Sequence, residues 1–162
     1  MNITYREYTD QDKNTLLELG KKLDEHARAM DPMQRIKNFP GLAERVLEDN
    51  LKNVSKYQGK IWLAEDSGKA IGYIVGVIWE QSESNKLEIG PHTLGEVLDI
   101  YIDEGYRSQG LGTKMLSMME AYFKEKGCDS MCISLFAPNE IAQEAYKKFG
   151  FVPRQIGMLK EI

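Results

Sequence analysis

At 162 residues, with a net charge of −4 and a pI near 5.3, the chain is sized for one domain with a substantial core. Hydrophobic residues are 42% and charged residues 28%, an ordinary globular balance, and the acidic surplus argues against nucleic acid as a partner because phosphate binding needs a basic face. No apolar run nears the ~20 residues of a bilayer span, and the opening MNITYREYTDQD has no apolar leader, so no membrane partner and a cytoplasmic location are expected.

In chain order, Ile3–Tyr8 alternates like a first strand. Thr9 or Asp10 can cap a helix carrying Leu16, Leu17, Leu19, Leu23, Ala27 and Met30 at helical spacing. Asp31-Pro32 ends it, because the residue before proline avoids the helical region. A second helix is expected from about Leu42 to Leu51. KIWLAED (60–66) and AIGYIVGVIWE (70–80) read as central strands joined by a hairpin turn, DSGK. The polar stretch 81–93 reads as a loop, a flap facing substrate. LGEVLDIYI (94–102) is a fourth strand. A glycine turn follows, then a helix to about Lys126. SMCISLF (130–136) is a fifth strand. NEIAQEAYKKFG (139–150) is a helix with Asn139 as cap and Gly150 at its end. Residues 151–162 read as a closing strand or hairpin. The order is α/β with a mixed sheet, and the helix between the fourth and fifth strands makes that pair parallel.

Cys128 and Cys132 are the only cysteines. They are too few for a disulfide framework, and no Cys or His pair lies close enough to suggest a metal. The informative stretch is GYRSQGLGTKML, 105–116. A dinucleotide fingerprint would need a third glycine where Met115 stands, and a P-loop would need lysine where Leu111 stands. Amides from Arg107 to Thr113 can instead converge on a pyrophosphate, helped by the positive end of the helix that starts near Leu111. Gly110 and Gly112 let the backbone approach closely, and Arg107 is a candidate for added charge.

The run Arg107-Ser108-Gln109-Gly110-Leu111-Gly112 resembles the R/Q-x-x-G-x-G/A signature of the GNAT superfamily of N-acetyltransferases. APNEIAQEAYKKFGFVP (137–153) resembles that superfamily's second block, N-x-x-A-x-x-x-Y-x-x-x-G-F. The resemblance spans most of the chain. It implies a mixed, mostly antiparallel sheet with a splayed parallel strand pair, flanked by helices, in a single domain. It implies that Arg107, Ser108, Gln109, Gly110, Leu111, Gly112 and Thr113 hold the pyrophosphate of acetyl-CoA. It further implies that the strand at Ile100, Tyr101 and Ile102 pairs with the pantetheine arm, and that Asn139 touches the cofactor.

Acetyl transfer needs a base for an amine of pKa about 10.4, a donor for the oxyanion and a proton for the leaving thiolate. Tyr146 stands where the family places a tyrosine near the sulfur. Glu96, six residues before Ile102, is the first candidate base, and Asp99 the second. By alternation Glu96, Leu98, Ile100 and Ile102 are expected on one face of the strand, with Asp99 and Tyr101 on the other. An amide near Ile100–Tyr101 would serve the oxyanion. The resemblance leaves His26 and Asp31 as linings of an acceptor pocket. No cysteine or serine is placed as a covalent nucleophile, so direct attack by a small-molecule or peptide amine is expected. The rival reading is an acyl-CoA-binding regulatory module without turnover. A homodimer is a candidate assembly.

Overall fold

The computed structural model describes residues 2–162. Five strands lie in sequence order: β1 (Ile3–Glu7), β2 (Lys60–Asp66), β3 (Lys69–Trp79), β4 (Leu94–Ile102) and β5 (Ser130–Ile133). Every neighbouring pair is antiparallel except β4 and β5, which are parallel. α1 (Lys13–Met30) and α2 (Leu42–Lys56) cover one face of the sheet, and α4 (Leu111–Glu125) covers the other. α3 (Glu83–Ile89) lies between β3 and β4, and α5 (Glu140–Phe149) follows β5. β3 is buried on both faces from Ile71 to Ile78, as its unbroken apolar run requires of a central strand.

Local chemistry sets the boundaries. The main-chain N–H and the hydroxyl of Thr9 both donate to the Asp12 carboxylate, which also takes two hydrogen bonds from Arg6, each 2.7 Å long. One turn of 3-10 helix, Asp10–Asp12, therefore precedes α1. Asp31 leaves the helix with ψ at 109°, as its following proline dictates. Its buried carboxylate accepts N–H bonds from Met33, Arg35 and Ile36, and those bonds hold it below the usual carboxylate range. The β2–β3 hairpin turns on Ser67 and Gly68, both at positive φ, the geometry of a type I′ turn.

Four expectations are corrected. α2 continues to Lys56: Leu51 and Val54 prolong its apolar stripe onto the core beside Leu47. The expected flap at 81–93 contains α3, capped by Ser82, whose hydroxyl accepts the Asn85 N–H. The fifth strand stops at Ile133, three residues short of Phe136. Residues 151–162 form no strand, and apart from Phe151, which stacks on Phe149, this tail is exposed.

Candidate functional site

β4 and β5 pair only from Leu94↔Ser130 to Val97↔Ile133. β4 continues five residues further, to Ile102, with no strand on that side. The parallel pair therefore opens into a slot flanked by the main chain of Leu98–Ile102. Phe123 packs beneath the closed part. Its ring lies against Gly95, where a Cβ would overlap it, and against Gly76, where a Cβ would come within 2.8 Å.

The glycine turn lies at the far end of β4. Gly110 caps α4 at φ 80° and ψ 0°, and Ser108 also has positive φ. The first helical bond runs from Lys114 N–H to the Gly110 carbonyl. The amides of Leu111, Gly112 and Thr113 thus precede the helical ladder and remain available as donors. A Cβ at Gly105, Gly110 or Gly112 would meet nothing within 4 Å, so the backbone of these glycines faces open space. These features fit a diphosphate. The Arg107 guanidinium bends back: its Nε donates to the Ile102 carbonyl at 2.9 Å, and its carbon lies 5.7 Å from the Tyr101 ring centre. Gln109 similarly donates to the Gly105 carbonyl. Leu111 is buried in the core under α4. Asn139 caps α5 by accepting the Ala142 N–H.

The candidate acid and bases lie on opposite faces of the sheet. Tyr146 packs into the core under α4, as do Val97, Ile100 and Ile102. Tyr101 and Leu98 join the core under α1 and α2. The expected alternation fails because β4 carries one residue more than β3 at this point: Val75 pairs with Asp99 and Gly76 with Val97, leaving Leu98 as a bulge. Glu96 is therefore not on the face of Ile100 and Ile102. Its carboxylate accepts the Trp79 indole N–H, and Trp79 packs on Tyr57 at the end of α2. Glu96 and Asp99 both face α1 and α2.

Asp99 is enclosed by Tyr73, Asn50 and Asp24 around a cavity of about 20 Å3, room for one water. Asn50 Nδ2 donates to its Oδ2 at 2.6 Å, and the Tyr73 hydroxyl at 3.4 Å. Burial pushes Asp99 up to about 6, against the opposing pull of those two bonds. The same burial lifts the Tyr73 phenol well above its ordinary value. Tyr146 is pushed up to about 12 by burial alone, with no side-chain hydrogen bond contributing, and its ring meets Phe151 edge-on. The Cys132 thiol, level with Glu96 across the paired strands, is pushed up to about 11, first by burial and then by that carboxylate. It is protonated at neutral pH and a weak nucleophile. Asp31 is spent on its loop, and His92 hydrogen-bonds Gln81 in the connection to β4. Sequence reasoning missed Asn50 and Tyr73. Asn50 follows the apolar pair Val46–Leu47 by one helical turn, a spacing that could have revealed its inward position.

A strand-to-glycine-turn-to-helix unit beside a parted parallel pair defines the class. The chain belongs to the acetyltransferase (GNAT) family, whose model matches residues 22–151. Over 106 residues it is 30% identical to an N-alpha-acetyltransferase of Sulfurisphaera tokodaii, covering 62% of this chain and 61% of that one. The chain spans 33% to 61% of the length of the curated relatives it matches. Among solved structures, the tetramutant BH1408 protein of Bacillus halodurans superposes with a TM-score of 0.80 at 19% identity, covering 98% of this chain and 99% of that one. A predicted acetyltransferase of Clostridium acetobutylicum, crystallised with acetyl-CoA, gives 0.75 at 18% identity, covering 99% and 96%. Among the described residues no helix is long and apolar enough to cross a membrane, and no cluster of His, Cys, Asp or Glu could hold a metal.

Proposed function

We propose that this chain is an N-acetyltransferase that moves the acetyl group of acetyl-CoA to a primary amine by direct attack in a ternary complex. The observation that carries the reading is the slot between β4 and β5, which opens after Val97 and Ile133 and leads towards a glycine turn whose backbone faces open space. Amides of Leu111, Gly112 and Thr113 hold the diphosphate, with Arg107, Ser108, Gln109 and Gly110 shaping the turn. The main chain of Ile100, Tyr101 and Ile102 receives the pantetheine arm as an added strand. The Clostridium acetobutylicum relative, crystallised with acetyl-CoA, supports the choice of donor. Acetyl-CoA supplies the acetyl group as an activated thioester.

Asp99 is the base in this reading, in preference to Glu96. Its proton affinity lies near neutrality, where a general base is most effective, and no described residue donates to its Oδ1. It takes the amine proton through a water in the 20 Å3 cavity. Main-chain N–H groups near Ile100–Tyr101 face the developing oxyanion. Tyr146 delivers its proton to the departing sulfur from the opposite side of the sheet. A phenol is already protonated at working pH, and burial holds it further from ionisation. With Cys132 also protonated, an acetyl-cysteine intermediate is disfavoured.

Calorimetry with CoA, followed by thiol release from acetyl-CoA with a panel of amines, tests the assignment. The panel spans peptide N-termini, lysine peptides, polyamines, aminoglycosides and free amino acids. CoA should bind, and at least one amine should accelerate thiol release. Binding with no amine-dependent release would favour an acyl-CoA-binding regulatory module.

A further inference from the structure

We propose that Asn50 of α2, assisted by Tyr73 of β3, is the positioning residue that orients Asp99 and sets its basicity. This rests on the assignment of Asp99 as the base. Both donors converge on one oxygen: Asn50 Nδ2 lies 2.6 Å and the Tyr73 hydroxyl 3.4 Å from Asp99 Oδ2. A carboxylate held by two donors on Oδ2 cannot rotate without breaking both bonds. Oδ1 receives no hydrogen bond from a described side chain, so it is the oxygen presented for proton transfer.

The bulge at Leu98 explains why the donors come from these two elements. It turns Asp99 onto the face covered by α1 and α2, where Asn50 and Tyr73 line the same small cavity. The surroundings pull in opposite directions. Burial and the Asp24 carboxylate of α1 favour the protonated acid, whereas Asn50 and Tyr73 favour the carboxylate. Asp24 is itself raised by burial and opposed by Arg28 one turn further along α1. Tyr101, on Asp99's own strand, faces Tyr73 with ring centres 6.5 Å apart and, its phenol raised by burial, is neutral at working pH. Asn50 is the closest donor in this set and the only one on α2, the helix that roofs the cavity.

Titration of 13Cγ-labelled aspartate in the full chain reads Asp99 directly, with Asp99→Asn assigning its signal. Asn50→Leu, close in volume but without the donor, should move the Asp99 midpoint up by about one pH unit, the usual weight of a hydrogen bond to a charged group. Tyr73→Phe should move it the same way by less. Asp24→Asn removes a like charge and should move it down. The acidic limb of the kcat/KM profile, measured with the best amine of the panel, should follow each shift, because the base works deprotonated. A merely structural Asn50 would lower thermal stability and leave both midpoints in place. An unchanged Asp99 midpoint in Asn50→Leu and Tyr73→Phe alike would overturn the proposal. If Asn50→Leu does not fold, the Tyr73→Phe and Asp24→Asn midpoints decide it, and two unmoved midpoints overturn it. A carboxyl signal that shifts while the kinetic limb stays still would leave the positioning intact and remove Asp99 from the role of base.

Discussion

Tyr146 shows how far a single side chain can be read. Its place in N-x-x-A-x-x-x-Y marked it out, and its ring packs under α4 with Phe151. No side-chain hydrogen bond acts on the phenol, so its removal leaves no buried side-chain partner unsatisfied. Tyr146→Phe should therefore melt within about 2 °C of the parent, since a change below 1 kcal/mol moves a domain of this size little. Its kcat should fall about 100-fold, the lower end of what a positioned proton donor contributes. A variant that melts early and turns over normally would make Tyr146 a core residue only. Asn139 and Gly150 were legible for a different reason: a cap and a left-handed helix end are local, and both depend on bonds within a few residues. The face on which Glu96 lies was not legible. It depends on the extra residue at position 98, visible only once β3 and β4 are set side by side.

At the scale of elements, the turn before α4 is the most exposed to test. Gly110 has φ 80° with open space around its Cα, so an alanine there meets no clash and pays in conformation alone, about 1 kcal/mol or slightly more. The turn should relax towards negative φ and swing its amides off the diphosphate. Gly110→Ala should raise KM for acetyl-CoA on the order of tenfold, equivalent to about 1.4 kcal/mol, with kcat nearly unchanged. An unaltered KM would detach this turn from cofactor binding. Elements with a buried face were readable: α1 and α4 carry their period openly, and β3 shows an unbroken apolar run. α3 was hidden because it has no such face. Leu87 is 91% exposed and Ile89 is exposed too, leaving only the Ser82 cap as a sign. The tail at 151–162 failed in the opposite way. It has apolar residues at Val152, Ile156, Met158 and Leu159, yet they stay exposed, because a strand needs a partner that sequence spacing cannot supply.

For the whole molecule, packing and chemistry meet at Phe123. The ring fills the space left by two glycines on adjacent strands, Gly76 and Gly95, and so locks α4 onto the closed half of the β4–β5 pair. Gly95→Ala should push the ring away, at a cost of about 1–3 kcal/mol, lowering Tm by about 2–4 °C for each kcal/mol. CoA binding should weaken with it, because Gly95 is paired with Met131 inside the closed segment. Thermal melts with and without CoA check both effects. Leu98 carries a consequence for the molecule as a whole. Upstream of it, odd-numbered residues of β4 point towards α4, as Val97 does; downstream, even-numbered ones do, as Ile100 and Ile102 do. Deleting Leu98 would leave one unbroken alternation, with Val97 and Ile100 still towards α4 and Glu96 and Asp99 still towards α1 and α2, so the extra residue is what sets two successive side chains, Leu98 and Asp99, on the same side.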